Sequence, residues 1–260
     1  MKEHNKYYWQ NRDQRRVAAI EHMDKMAKKH SAAIEESIAR SQVYGIGPVT
    51  QPMRKSVFRI TSDDSVSAIF KHAYGKTAVL NFASYKNPGG GFLTGSRAQE
   101  EALCHESTLY NVLKEMNHFY EWNNLNLNKG LYQDRAIYSP DIIFEREGEI
   151  VKCDVITCAS PNWSAASHRC TLEENEKALA DRIRLVLEIA KDNKVNTLIL
   201  GAYGCGVFQQ NPEVVARLFR EIAKEVFKNY SIEIIFAIIP ALPGQTDNLA
   251  AFKKEYGLLK

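Results

Sequence analysis

The chain reads as a three-layer α/β/α protein built on a mixed, mostly parallel sheet, with a helical extension at its amino terminus. Three observations carry that reading. Apolar runs at residues 78–82, 197–200 and 232–239 have the length and β-branching of buried strands, and 150–159 alternates before turning wholly apolar. Segments with apolar residues at helical spacing separate these runs, and that alternation gives parallel strands covered on both faces. Glycine, asparagine and acidic residues collect just after the strands, at the rim where such sheets bind ligands.

Taken in order, residues 12–40 are rich in Ala, Glu, Lys and Ile. Val17, Ile20, Met23 and Met26 fall about one turn apart, which predicts one or two amphipathic helices. Gly45, Gly47, Pro48 and Pro52 mark 41–56 as a linker or irregular wrap. No break in composition sets the start of the chain apart, so 1–56 is expected to pack as an extension on a main domain, 57–260. A short strand at 57–60 ends in a polar run, 61–65, able to cap a helix over 66–72. The strand at 78–82 runs into Pro88, Gly89, Gly90 and Gly91, which exclude regular structure. A helix is expected from near Gln99, carrying Ala102, Leu103, Leu109 and Leu113.

Residues 117–133 are polar and asparagine-rich and read as loop. Two short strands, 136–140 and 142–145, precede the strand at 150–159, which Ser160, Pro161 and Asn162 break. The helix predicted over 171–191 places Leu172, Leu179, Ile183, Val186, Leu187 and Ala190 on one face, behind a capping box of Thr171 and Glu174. Pro212 suits the first turn of the helix after the 197–200 strand, where a missing N–H does no harm. A strand at 232–239 and a helix at 248–256 complete the chain.

A net charge of +3 is too weak to argue for nucleic-acid binding by itself. Residues 1–30 hold eight Lys or Arg against four Asp or Glu, a tilt that can attract a polyanion and that a solvated helix face explains as well. Cys104, Cys153, Cys158, Cys170 and Cys205 are odd in number and show no metal-ligand spacing, which favours reduced thiols in a cytoplasmic protein. Met1 is followed by no apolar leader, and no run approaches the length of a membrane span.

The most specific pattern is Gly89, Gly90 and Gly91, a short spacer, then Gln99, Glu100 and Glu101. Acids in a first helical turn are commonplace, because the helix dipole favours them, and a glycine run alone is a turn. The combination is far more selective. With Asn87, Pro88 and a second glycine loop holding Gly204, Cys205, Gly206, Val207 and Phe208, it resembles the signature of the microbial poly(ADP-ribose) glycohydrolases, which are macrodomain-type enzymes. The likeness runs from about residue 57 to residue 240.

The resemblance implies a macrodomain-like fold and hydrolysis of the ribose–ribose O-glycosidic bonds of poly(ADP-ribose), releasing ADP-ribose without cofactor or metal. It makes Glu101 the general acid and then the base, through an oxocarbenium-like state, and Glu100 the holder of the leaving ribose. Gln99 orients the pair, Asn87 bonds the distal ribose, and Gly89, Gly90 and Gly91 allow close backbone approach. Gly204, Cys205 and Gly206 cradle the diphosphate through backbone N–H groups, with Val207 and Phe208 against the distal ribose. Asp63, on the loop after the 57–60 strand, is the candidate for reading the adenine amino group. The expected partner is the polymer or an ADP-ribosylated macromolecule, and the expected state a monomer.

The residues themselves constrain the chemistry. Ordinary glycosidases set two carboxylates about 5–9 Å apart across the bond. Helix neighbours point about 100° apart, so one of Glu100 and Glu101 is expected to move protons and the other to position sugar hydroxyls. His105 reads as a structural histidine, Cys205 has no paired base, and no His-Glu-x-x-His is present for zinc. Two other functions remain open. One is a module that binds ADP-ribosyl groups without cleavage, which a carboxylate pair argues against; the other is a mono-ADP-ribosyl hydrolase acting on protein or nucleobase.

Overall fold

The computed structural model describes residues 11–44, 56–242, 244 and 246–258. Among these, seven strands form one sheet: β1 (Gln42–Tyr44), β2 (Val57–Thr61), β3 (Thr77–Phe82), β4 (Ala136–Arg146), β5 (Glu149–Cys158), β6 (Thr197–Leu200) and β7 (Glu233–Ala237). Their order is β1-β4-β5-β3-β6-β7-β2. Strands β5, β3, β6, β7 and β2 pair in parallel, and only the β1–β4 and β4–β5 pairings are antiparallel. The mixed, mostly parallel sheet is as predicted.

Ten helices flank it among the described residues: α1 (Arg12–Lys29), α2 (Ser31–Arg40), α3 (Ser65–His72), α4 (Gln99–His105), α5 (Leu109–Leu113), α6 (Asn117–Leu125), α7 (Trp163–Ala166), α8 (Leu172–Asp192), α9 (Pro212–Val226) and α10 (Asn248–Glu255). The two-residue period of the strands divides the core. Ala78, Leu80, Leu198, Leu200, Ile234 and Phe236 face α8, α9 and α10 through Ile183, Leu187, Phe219 and Phe252. Their neighbours Val79, Ile199 and Ile235 face the opposite layer, with Ala19, Ile34, Ile69, Leu103 and Val112. Thus the extension supplies both an edge strand and part of the core.

Several sequence expectations need correction. Residues 117–133 are not all loop, because α6 turns Phe119, Tyr120 and Asn123 inward. The Arg135 guanidinium lies over Phe119 and Trp122, at 4.8 and 4.1 Å from their ring centroids, holding that helix by cation–π contact. The two strands expected over 136–145 are one, β4, with a bulge between Ser139 and Ile142 and Asp141 in the left-handed region. The helix expected from Gln99 stops at His105, since Thr108 N–H turns to bond Ile143 O at 3.0 Å and the chain restarts as α5. In α1 the apolar Val17 and Ile20 are exposed, while Ala19 and Met26 are buried; Leu172 opens α8 on its exposed side. Of the supposed linker, 42–44 forms β1, and 45–55 lies outside the described residues. Helix α7 was not anticipated.

Candidate active site

The five parallel strands all end on one rim, and the loops leaving them carry the predicted residues. At the end of β3, Asn81 interrupts an apolar strand and is fully buried. The Gln99 amide clamps α4 to this strand: its Oε1 accepts Phe82 N–H at 2.8 Å, and its Nε2 donates to Leu80 O at 2.8 Å and to Ser65 Oγ at 3.0 Å. Gln99 therefore orients the first turn of α4 and offers its amide to the strand, not to a ligand.

Glu100 and Glu101 follow in that turn, both buried. Glu100 Oε2 accepts Ser84 N–H at 2.6 Å and its Oε1 accepts Asn81 Nδ2 at 3.1 Å. Burial pushes its carboxyl up to about 8; the Ser84 and Asn81 donors oppose that, and the charge of Glu101 adds to it. Glu101 Oε1 accepts Gly91 N–H at 2.7 Å. Its Oε2 is buried and has no hydrogen-bond partner among the described residues.

The expected divergence of the two carboxylates does not hold at their ends. A Cβ placed on Gly90 would lie 2.7 Å from Glu101 Oε1 and 2.8 Å from Glu100 Oε2. The Cα–Cβ bonds diverge, but both side chains fold back onto the triglycine turn. Gly90 sits there at φ +59°, a conformation open to glycine, and the missing side chain is what lets both oxygens approach. Gly89 packs beneath Tyr110, and Gly91 supplies the N–H to Glu101. Asn87 braces the same turn with its backbone, N–H to Ser84 Oγ at 3.1 Å and carbonyl to Gly90 N–H at 3.1 Å, while the residue itself is exposed.

The loop after β6 reaches past the end of β3 to β5, where Tyr203 Oη donates to Cys158 O at 3.1 Å. Gly204 lies against Ser160, just beyond β5. The N–H groups of Gly206, Val207 and Phe208 make no hydrogen bond among the described residues, an arrangement suited to an anion. Burial pushes the Cys205 thiol up to about 12, which disqualifies it as a nucleophile near neutral pH. Val207 is exposed, and Phe208 meets the edge of Tyr132, whose ring stacks on Tyr85 at 4.1 Å.

Buried polar side chains anchor the loop from below. Gln210 Nε2 donates to Pro161 O at 2.8 Å, and its amide pairs with that of Asn175. Arg182 of α8 is wholly buried; it bonds Asp134 at 2.9 Å, the Ala159 carbonyl, and Leu131 O at 3.5 Å. Two segments of rim, 131–134 and the end of β5, therefore share one guanidinium.

Asp63 is not brought to the carboxylates. It follows β2, three strands from β3 and so about 14 Å away, and its carboxylate pairs with Lys71 and His72 of α3. His105 packs edge-on to Phe92 at 4.8 Å, and burial, with the charges of His22 and Arg15, lowers it to about 4, so it stands neutral. Among the described residues no group of three His, Cys, Asp or Glu side chains is placed to hold a metal ion, and no helix is long and apolar enough to cross a membrane. Sequence reasoning passed over Asn81, Ser84, Tyr85, Tyr132, Arg182 and Gln210. Of these only Asn81 carried a signal, as a lone amide in an apolar strand.

A mixed sheet in this order, with paired glutamates and a glycine loop on its carboxyl rim, defines a macrodomain-like α/β enzyme. Residues 5–147 match the family model of the microbial-type PARG catalytic domain, and the chain belongs to that family. The poly(ADP-ribose) glycohydrolase of Thermomonospora curvata, solved with the inhibitor ADP-HPD, is 28% identical with a TM-score of 0.82, the match covering 94% of this chain and 99% of that one. The poly(ADP-ribose) glycohydrolase of Deinococcus radiodurans in complex with ADP-ribose is 30% identical with a TM-score of 0.75, covering 87% of this chain and 98% of that one. No curated protein sequence matches the chain.

Proposed function

We propose that this protein hydrolyses the ribose–ribose O-glycosidic bonds of poly(ADP-ribose) and releases ADP-ribose. The observation that carries the reading is Glu101, with one oxygen pinned by Gly91 N–H and the other buried without a partner among the described residues. A buried carboxyl oxygen left unpaired is costly in a resting fold and useful where a substrate oxygen completes it. The family and its structures with ADP-ribose or ADP-HPD bound support the same chemistry.

In the proposed reaction protonated Glu101 gives its proton to the glycosidic oxygen as the C–O bond to the distal ribose breaks. The oxocarbenium-like centre is attacked by water, and the Glu101 carboxylate takes up the proton that water releases. The products are ADP-ribose, with its new hydroxyl from water, and a chain one unit shorter. Glu100, its carboxyl pushed up to about 8 by burial, is the neutral neighbour that contacts the leaving ribose. The N–H groups of Gly206, Val207 and Phe208, unbonded among the described residues, receive the diphosphate, Asn87 the distal ribose, and Phe208 packs on the sugar. Asp63 lies toward the adenine end of so long a ligand. A pure binding module has no use for two buried carboxylates beside an anionic ligand. Residues 1–56 act as an extension of the 57–260 domain, in a monomer working in the cytoplasm.

Glu101→Gln tests the assignment, because it keeps size and hydrogen bonding but cannot exchange a carboxyl proton. Release of ADP-ribose from polymer should drop by about 10²–10⁴-fold. Calorimetric titration should still find ADP-ribose bound within about tenfold of the parent, roughly 1.4 kcal/mol. A variant with parental turnover sinks the mechanism.

A further inference from the structure

We infer that Arg12 and Arg15 of the N-terminal extension are positioning residues for Glu101, acting through the exit of the triglycine turn; this rests on the reaction proposed above. The contacts form one continuous path. Arg12 Nε donates to Thr94 O at 2.9 Å, and Arg15 Nε donates to Gly95 O at 2.8 Å. Those two carbonyls lie at the end of the 3₁₀ turn Phe92–Thr94, which closes on itself through Gly95 N–H to Phe92 O at 3.2 Å. Ser96 N–H then returns to Gly91 O at 3.0 Å, where Thr94 N–H also arrives at 3.0 Å and Thr94 Oγ1 at 3.1 Å. The opposite side of the Gly91 residue, its N–H, holds Glu101 Oε1. The carboxylate is thus aimed by a peptide whose own setting depends on α1.

Gly95 shows how closely the two parts fit. It adopts φ +75°, and a Cβ there would come within 2.2 Å of the Arg12 carbonyl oxygen. Residue 95 must be glycine because the backbone of the extension passes over it. Further along, His22 Nε2 meets Ser107 O at 3.0 Å and Asn111 Nδ2 donates to Met23 O at 3.2 Å, so α1 is docked beside the α4–α5 break as well. The arginine contacts are the ones that reach the catalytic turn. Without them the turn keeps its internal bonds but loses its outer wall. Rate should suffer before affinity, since the proposed diphosphate loop follows β6 and lies on another element.

The test is the double variant Arg12→Met/Arg15→Met, which keeps the aliphatic stems and removes the donors. Turnover on polymer should fall about tenfold or more, given how steeply rate depends on the aim of a catalytic group. ADP-ribose affinity by calorimetry should stay within about threefold. Arg12→Lys/Arg15→Lys, which restores donors, should recover part of the rate. The comparison variant Lys25→Met/Lys29→Met loosens the other end of α1, where both lysines contact Glu145, and should leave turnover near the parent's. Equal losses in the two Met variants, or parental turnover in Arg12→Met/Arg15→Met, would overturn the inference. Should the double variant not fold, the exposed single change Arg12→Met decides, and parental turnover there is equally fatal. If the parent protein itself releases no ADP-ribose from polymer, the proposed reaction fails instead, and the two failures are told apart.

Discussion

Gly90→Ala is the sharpest structural perturbation of the site, because one methyl group meets both carboxylates. At 2.7 and 2.8 Å from Glu101 Oε1 and Glu100 Oε2, the new Cβ would sit about 0.6 Å inside ordinary contact with each. The backbone stands at φ +59°, where a side chain costs about 1–2 kcal/mol. In a domain of this size that lowers the melting temperature by roughly 2–6 °C, which the fold should survive. The carboxylates must retreat, and the 2.7 Å bond from Gly91 N–H is strained or lost. A displacement of about 1 Å at a reacting group costs on the order of 10²-fold, so turnover should drop about 10–100-fold. The assay pairs initial rates of ADP-ribose release with thermal unfolding and ADP-ribose titration. A folded Gly90→Ala protein with parental turnover would show that the carboxylates do not rest on this turn during reaction.

Other outcomes follow from the same geometry. Cys205→Ala should keep most activity, since desolvation pushes the half-buried thiol up to about 12; a dead variant would demand a thiol mechanism. Gly206→Val should fold normally, because nothing lies within 4 Å of the added Cβ, yet lose ADP-ribose binding in titration if phosphate approaches there. Glu100 holds its proton below about 8 and releases it above, so turnover should decline on the alkaline side near that pH; Glu100→Gln should move that limb, and an unmoved profile would detach it from Glu100. The Glu145 carboxyl is drawn down from its ordinary 4.5 to about 2, chiefly by Lys29 and also by His30 and Lys25. Its lowered value means that the clamp on α1 is intact above 4.5 and is lost as pH falls toward 2. Glu145→Gln should therefore flatten the decline in melting temperature across that window.

The strands were legible because buried parallel strands are plain apolar runs, and β3, β6 and β7 stand out without any partner in view. The capping pair Thr171–Glu174 and the first-turn Pro212 likewise act within a few residues, so α8 and α9 begin where local chemistry says they should. Helix α6 was hidden because its anchor, Arg135, comes ten residues after its last turn. The break between α4 and α5 depends on β4, more than thirty residues on, whose Ile143 carbonyl captures Thr108. At the site the pattern of glycines and glutamates marked the right turn, but not the pose of its side chains. Spacing along a helix sets where Cβ points; the convergence of Glu100 and Glu101 on Gly90 depends on a loop that sequence alone leaves unshaped. Gln99 shows the same limit, since its partners, two atoms of β3 and the Ser65 hydroxyl of α3, are revealed only by tertiary packing.

Arg182 ties together properties that are commonly adjusted separately. One guanidinium, reached by no solvent, holds the carbonyls of Leu131 and Ala159 and the carboxylate of Asp134, and these segments carry Tyr132 and lead into Ser160. Stripping the charge would strand a half-buried aspartate and two carbonyls, a loss on the order of 3–5 kcal/mol for a broken buried pair. On the proposed reading the same change would slacken the loops beside the bound ADP-ribose, so thermal endurance and grip on that ligand would be coupled traits. A selection for heat resistance alone would hold Arg182 in place and, without ever being asked to, preserve those loops.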